Sequence, residues 1–273
     1  MQGLDRRINL MDRSEVKNKI VDFFRKQIEL KQSQQNYRHQ VQMGGLYELF
    51  RDSLKDVPGY KQDDYFSVVR EVVQELINAG FLYPGTPGDF NSGYPWLSIT
   101  TYGAEAFMSE EWLPYDPEGY LKALKIKVPE IDDVTFAYIG ESIAAFNRRH
   151  LLSATITLGV ASENLMLILI ETYTNWLKDP RMTKFQKRIE DRWIATQYRE
   201  FKKEFLTDVK SLPKQLQGDW EIYLDGIFNF VRLNRNDAGH PTGKEFSAKV
   251  VYANLQIFAD YARYIFDLKK YLE

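Results

Sequence analysis

The sequence predicts a mainly α-helical protein built from two domains. Over most of its 273 residues, apolar side chains recur at three- and four-residue steps, the spacing of amphipathic helices. The pattern changes between residues 81 and 100, where two short apolar runs flank a stretch of turn-forming residues and so indicate two strands. Pro114, Pro117 and Pro129, set among acidic residues, indicate a solvated linker at residues 109 to 130. We therefore expect one domain at residues 1 to 108 and another at residues 131 to 273.

Composition narrows the classes of protein and site. The formal charge is −2, so no global basic field indicates a nucleic-acid partner. The chain has no cysteine, which excludes disulfides, thiolate metal sites and cysteine nucleophiles and fits a reducing cytoplasm. Its three histidines, His39, His150 and His240, lie far apart in sequence, so we expect no metal site, and no motif indicates a cofactor.

Neither a signal peptide nor a membrane span is expected. The first ten residues contain charged side chains but no apolar run. The longest apolar candidate, residues 151 to 170, is interrupted by several polar side chains and reads as a buried helix. We therefore predict a cytoplasmic protein without a membrane partner.

Four helices and two strands are predicted in the first domain. The helices cover residues 14 to 31, 46 to 55, 63 to 79 and 101 to 108. Gly44-Gly45 predicts a break before the second helix, and Gly80 predicts the end of the third. The strands cover residues 81 to 83 and 96 to 100.

Helices followed by a two-stranded wing resemble the winged helix-turn-helix fold, here over residues 14 to 108. The ending Leu97-Ser98-Ile99-Thr100-Thr101-Tyr102-Gly103 is similar to the strand, threonine and glycine with which many such domains close. Residues 1 to 110 hold 13 Lys and Arg against 15 Asp and Glu, and the predicted recognition helix offers only Arg70 as a cation. The charge therefore favours a module for protein interaction or dimerisation over a DNA reader. Tyr94 and Trp96 on the wing could reach a ligand, although aromatic residues beside a turn more often pack.

Five helices are predicted in the second domain, at residues 133 to 149, 151 to 177, 181 to 210, 219 to 235 and 244 to 272. Their short connections predict a helical bundle. The second helix is the most apolar and the fourth is apolar over most of its circumference, so we expect both to be central. The third is highly charged and should lie on the outside.

Residues 231 to 243, Val-Arg-Leu-Asn-Arg-Asn-Asp-Ala-Gly-His-Pro-Thr-Gly, are the strongest candidate for a functional site. Arg235 continues the apolar face of the fourth helix, where a guanidinium needs a carboxylate, a carbonyl or a phosphate as its partner. His240 precedes Pro241, which disfavours helical backbone at the histidine and places the imidazole at a helix break. Arginine and histidine at a helix end can also simply cap its last carbonyl groups, so both interpretations stay open.

The segment Arg235-Asn236-Asp237-Ala238-Gly239-His240 resembles the R-x4-H motif of the HEPN domain (higher eukaryotes and prokaryotes nucleotide-binding). In that family the motif ends a long helix of an all-helical bundle and one more helix follows, an arrangement matched over residues 131 to 273. The resemblance implies a metal-independent endoribonuclease that acts on RNA. It also implies a symmetric homodimer whose two motifs meet in one cleft, and a setting as a toxin or defence effector.

Cleavage of RNA without a metal needs a group that moves a proton and a cation that stabilises the developing phosphorane charge. His240 suits the first role and Arg235 the second, and the 2′-hydroxyl of RNA supplies the nucleophile. Asn236 matches the polar position of the family and would orient the arginine or contact a phosphate. Asp237 falls at a position that varies in the family and receives no specific role.

Glu163 interrupts the apolar run of residues 158 to 170 and requires a cation. That cation is either Arg235, as with an acidic residue on another helix of some HEPN relatives, or any nearby basic side chain. Arg148, Arg149 and His150 form either a phosphate-binding rim or a solvated helix end.

Two classes of function remain open at this stage. The first is a ribonuclease whose winged helix recruits a partner, substrate or regulator. The second is a non-catalytic binding protein, in which the bundle serves as a dimer scaffold or nucleotide sensor and the winged helix contacts DNA or a protein partner.

Overall fold

The computed structural model describes residues 12–33, 40–85, 96–109, 113–240 and 246–273. The chain divides into two compact units, Met1–Tyr115 and Asp116–Glu273. Helix accounts for 78% and strand for 4% of the structure, so the predicted mainly α class is confirmed.

The first unit contains four helices and a small antiparallel sheet. The helices are α1 Arg13–Ser33, α2 Met43–Glu48, α3 Gly59–Asn78 and α4 Thr101–Phe107. The strands are β1 Gln40–Gln42, β2 Leu82–Pro84 and β3 Trp96–Ile99, in the order β1-β3-β2. The two predicted strands are present and pair with each other, with Tyr83 opposite Ser98. Strand β1 was not predicted, because its three residues form a strand only through pairing with β3.

The boundaries of α2 and α3 differ from the prediction. The helix predicted at residues 46 to 55 ends at Glu48, and a 3₁₀ turn, Asp52–Leu54, follows it. Gly44 and Gly45 lie inside α2 rather than before it, since neither is held at a positive φ. Helix α3 starts at Gly59, directly after Pro58, and therefore includes an extra turn. Its end agrees with the sequence, because Gly80 has a φ of 77°.

The threonine and glycine that follow β3 each have a structural role. The Thr100 hydroxyl accepts a hydrogen bond from the Gly103 amide at 2.8 Å and so caps α4. A Cβ at Gly103 would lie 2.1 Å from the Phe81 carbonyl oxygen, so only glycine allows this approach. The core beside this turn is aromatic, with Phe24 stacked on Phe107 at 5.4 Å between ring centroids.

The second unit is a helical bundle. Its helices are α5 Pro117–Lys127, α6 Asp133–Asn147, α7 Leu151–Trp176, α8 Arg181–Ile189, α9 Ile194–Phe205, α10 Lys214–Gln217, α11 Phe228–Gly239 and α12 Ala248–Leu272. A π-helical segment, Glu221–Ile227, leads into α11. Helix α7 is central and packs against α6, α11 and α12.

The segment predicted as a solvated linker, residues 109 to 130, contains α5. Pro117 starts this helix, and Tyr120, Leu124 and Val128 bury one face at four-residue steps. The Tyr120 hydroxyl donates to the Leu255 carbonyl oxygen on α12 at 2.6 Å. Residues 116 to 130 therefore belong to the bundle unit.

The predicted helix at residues 181 to 210 is two helices, α8 and α9. The chain turns between them at Asp191, which has a φ of 54°. No glycine or proline stands at this position to indicate the turn in the sequence. Trp193 falls on the narrow apolar stripe that the sequence indicates for the predicted single helix, but it is 87% exposed. The motif helix also differs, since α11 continues four residues past Arg235 to Gly239.

Among the described helices, α7 alone is long and apolar enough to cross a membrane by length and composition. Within its apolar window, 56% of the residues are buried inside the fold, and the core helix of a globular protein passes the same test.

Candidate functional site

The R-x4-H segment occupies the last turns of α11 and the residue beyond. Arg235 lies inside the helix, and His240 follows it as the C-cap residue with extended backbone, φ −113° and ψ 145°. The histidine therefore stands at a helix break, as the sequence predicts. Pro241 and Gly243 lie outside the described residues.

A glycine on α7 makes room for Arg235. A Cβ at Gly159 would lie 2.3 Å from both Cβ and Cγ of Arg235, far closer than two carbon atoms can approach. The aliphatic part of the arginine therefore crosses α7 directly over the Gly159 backbone. This close approach fixes where the guanidinium emerges from the packed interface between α7 and α11.

The guanidinium of Arg235 meets a carboxylate and an amide. Its Nη2 lies 3.6 Å from Oε2 of Glu163, one turn along α7 from Gly159. Its Nη1 donates a hydrogen bond to Oδ1 of Asn236 at 3.2 Å. Of the two partners that the sequence left open for Glu163, the structure has Arg235.

The two members of the ion pair differ in exposure, because Glu163 is more buried than Arg235. The Glu163 side chain is 13% exposed and that of Arg235 is 37% exposed. Burial raises the pKa of Glu163, and the nearby charges of Arg235 and Arg232 lower it by less than burial raises it. The two arginines thus do not fully offset the cost of burying the Glu163 carboxylate, and the Arg235 side chain stays partly exposed.

Arg232 is a residue that the sequence reasoning missed. It lies one turn before Arg235 on α11, is half-buried, and acts electrostatically on Glu163. Its Nε is buried and finds no hydrogen-bond acceptor within the described part of the chain. The available signal was the three-residue step from Arg232 to Arg235, which puts both on one helix face.

His240 is exposed, and none of the described residues forms a hydrogen bond or ion pair with its ring. Asp237 is half-buried on the same last turn of α11. The imidazole is thus free to reach a bound ligand, but within one chain it is not locked onto the Arg235 group.

Arg148, Arg149 and His150 are exposed at the turn between α6 and α7, where Arg149 has a φ of 63°. Trp96 is half-buried at the start of β3, whereas Tyr94 and His39 lie outside the described residues.

A cavity of about 740 Å³ lies elsewhere in the bundle. Tyr223 and Tyr264 stack in its wall at 4.8 Å between centroids, beside Asp219, Asp260 and Asp267. Its lining includes none of the motif residues. In the described ranges no group of three or more acidic or histidine side chains could hold a metal ion.

The arrangement can bind an anion and exchange a proton with it. Arg235 supplies a fixed cation with spare donors, Glu163 and Asn236 hold its orientation, and His240 supplies a titratable group nearby in sequence. Comparisons with protein-family models, with curated proteins and with solved structures give no match to this chain.

Proposed function

We propose that the chain is a metal-independent endoribonuclease of the HEPN type. The observation that carries the proposal is the Arg235 guanidinium, held by Glu163 and Asn236 at the end of α11 and followed directly by an exposed histidine at a helix break. The motif thus has the helix-end context that the HEPN resemblance implies.

Each side chain receives one role. Arg235 binds the scissile phosphate and stabilises the charge that develops on its oxygens. His240 moves the proton of the 2′-hydroxyl or of the leaving oxygen. Glu163 and Asn236 act through Arg235 and are positioning residues.

A second copy of the chain completes this site in the proposal. His240 makes no described contact with the Arg235 group of its own chain, and a twofold-related motif would supply a further arginine and histidine to the same cleft. Such a cleft would also provide the local basic field that a chain of net charge −2 lacks.

The first unit serves as an interaction or regulatory module in this proposal. Its order of α1, β1, α2, α3, β2, β3 and α4 is that expected for a winged helix. On α3 the exposed charges are Lys61, Asp63, Asp64, Arg70 and Glu71. The acidic residues outnumber the basic ones, which favours a protein partner over DNA.

The test is cleavage of structured and unstructured RNA in EDTA by the purified full chain. Wild type should cleave, and Arg235→Ala and His240→Ala should each lose at least about 100-fold in rate. Arg199→Ala removes an arginine that is 63% exposed on α9 and should cleave like wild type. Equal cleavage by all four proteins would point to a contaminant and remove the proposal.

A non-catalytic binding protein is the second candidate, and the isolated position of His240 within one chain favours it. It predicts RNA binding that Arg235→Ala weakens and His240→Ala leaves unchanged, without any cleavage. The proposed toxin or defence setting is checked separately. Expression of wild type in cells should slow growth, and expression of His240→Ala should not.

A further inference from the structure

We propose that Arg232 is a second phosphate-binding residue of this site, which holds the phosphate next to the scissile one. This inference rests on the proposed function, because it names how the same site grips its RNA. Arg232 precedes Arg235 by three residues on α11, so the two side chains are neighbours on one helix face, at a separation of about 5–6 Å between Cβ atoms.

The state of its guanidinium sets Arg232 apart. Arg13, Arg25, Arg181 and Arg235 are half-buried, and each donates a hydrogen bond to a protein acceptor. Arg232 is equally half-buried, yet across the described residues it has no hydrogen bond or salt bridge and its Nε is buried. Nε of Arg13 is also buried without an acceptor in the described part of the chain, but Arg13 donates through both of its terminal nitrogens. The terminal nitrogens of Arg232 are not buried and have no acceptor among the described residues, so they are open to an acceptor on a ligand.

The charge of the cluster indicates an anion. The charges of Arg235 and Arg232 both act on the Glu163 carboxylate, so this one carboxylate, when it is ionised, cannot neutralise both guanidinium groups. Glu163 lies closer to Arg235 in the ion pair, which leaves Arg232 as the less neutralised cation. A phosphodiester oxygen accepts from a guanidinium in the same way as a carboxylate, and RNA carries such groups at every nucleotide.

The test is binding of a 2′-O-methyl RNA, which the proposed reaction cannot cleave, measured by fluorescence anisotropy over a range of salt concentrations. Because one phosphate contact on a single strand contributes about 0.7 to the slope of log affinity against log salt, Arg232→Gln should lower that slope by about 0.7. Arg232→Lys retains the charge and should retain the slope, with a weaker affinity because the guanidinium fork is lost. Arg199→Ala should match wild type.

The kinetic readout on cleavable RNA follows from the same contact. Arg232→Gln should raise KM by about 10-fold and leave kcat within about twofold, because the neighbouring phosphate is held equally in the ground state and the transition state. A structural role would instead alter the pH profile through Glu163 and leave the salt slope unchanged. That result, or failure of wild type to bind the 2′-O-methyl RNA, would overturn the inference.

The two proposals fail in different ways. If Arg235→Ala and His240→Ala cleave like wild type, the ribonuclease proposal fails whatever the salt slopes are. If those variants lose cleavage and Arg232→Gln keeps both the wild-type slope and KM, only the role of Arg232 is removed. Thermal midpoints within about 2 °C of wild type for both Arg232 variants establish that each is folded.

Discussion

Helix α7 takes part in two clusters of arginine and carboxylate side chains, one around Arg181 and one around Arg235. The two clusters differ in how completely their charges are paired. Near the C-terminal end of α7, Arg181 donates to Glu204 at 2.9 Å and to Asp208 at 2.8 Å, and the Tyr173 hydroxyl donates to Asp208 at 2.6 Å. Near the middle of α7, Glu163 has a single ion pair among the described residues, with Arg235 at 3.6 Å. Both clusters join α7 to a neighbouring element, so the difference lies in how completely the charges are matched.

The pKa values of the carboxyl groups in the two clusters shift in opposite directions. Burial alone would raise the pKa of Asp208, but the hydrogen bonds from Arg181 and Tyr173 outweigh burial and lower it. Glu204 follows the same pattern, with its hydrogen bonds from Arg188 and Arg181. For Glu163, burial outweighs the two arginines and the pKa is raised. A saturated cluster holds helices together, whereas an unsaturated one retains donors for a ligand, as proposed for Arg235.

The largest expected effect is the loss of RNA cleavage when Arg235 is replaced by lysine. Arg235→Lys keeps the charge but loses the planar pair of donors, and we expect kcat/KM for RNA cleavage to fall about 100-fold, or about 2.7 kcal/mol. Arg181→Lys, the matched change in the saturated cluster, should retain cleavage. Full activity of Arg235→Lys would contradict the role given to the guanidinium.

Removal of Arg181 should have the next largest effect, on stability. Arg181→Met leaves the largely buried Asp208 without its cation and leaves Glu204 with Arg188 alone, and we expect the free energy of unfolding in urea to fall by about 2 kcal/mol at pH 7. Both folded-state pKa values are lowered, so this stabilisation is present above the unfolded pKa of about 4 and is lost as pH falls through the folded values. The difference in the free energy of unfolding between wild type and Arg181→Met should therefore disappear in acid. A difference that does not depend on pH would contradict the stabilising role given to Arg181.

A methyl group placed under Arg235 should lower the free energy of unfolding by somewhat less than the loss of Arg181 does. Gly159→Ala forces the arginine or the α7–α11 interface to move, and we expect about 1–2 kcal/mol of destabilisation together with reduced cleavage. Gly140→Ala on α6 is the control, because its nearest contact would be Leu121 Cδ1 at an ordinary 3.8 Å. That variant should gain about 0.5–1 kcal/mol from the helix propensity of alanine. Equal stability of the two variants in urea would exclude the close packing at Gly159.

The smallest expected effect is a small gain in stability for Glu163→Gln. The folded-state pKa of Glu163 is raised, so protonation favours the folded state below the unfolded pKa, and this contribution is lost as pH rises through the folded value. At pH 7 the wild type therefore carries the cost of the buried charge, and the glutamine variant should unfold at a slightly higher temperature. The gain should vanish as pH falls below about 4. A lower midpoint at pH 7 would show that Glu163 stabilises the fold, as the Arg181 cluster does.

The sequence predicted those parts of the fold whose limits carry local signals. Helix α7 was predicted to within a residue, because Arg149-His150 precedes it and Asp179-Pro180 follows its end. The break between α8 and α9 has no such signal at Asp191. Strand β1 was missed for a related reason, since its extended conformation depends on β3, more than fifty residues along the chain.

The candidate site likewise contains features that have a local signal in the sequence and features that depend on the packing of distant segments. That Glu163 needs a cation was predicted because a charge inside an apolar run needs a partner, but the choice between Arg235 and another basic side chain was left open. The close approach at Gly159 could not be foreseen, since it depends on how α11 packs against α7. For Arg232 the three-residue step to Arg235 was an available signal, but the burial of its Nε follows only from the packing.

The most direct measurement compares two substrates in EDTA, an RNA oligonucleotide and the same sequence with 2′-deoxyribose at every position. In the proposed reaction the Arg235 site supplies a cation and a proton carrier and the substrate supplies the nucleophile, so only the RNA should be cut, leaving 2′,3′-cyclic phosphate ends. Arg235→Ala should yield no such ends. Equal cleavage of both oligonucleotides, or intact RNA with the wild-type chain, would contradict the proposed chemistry.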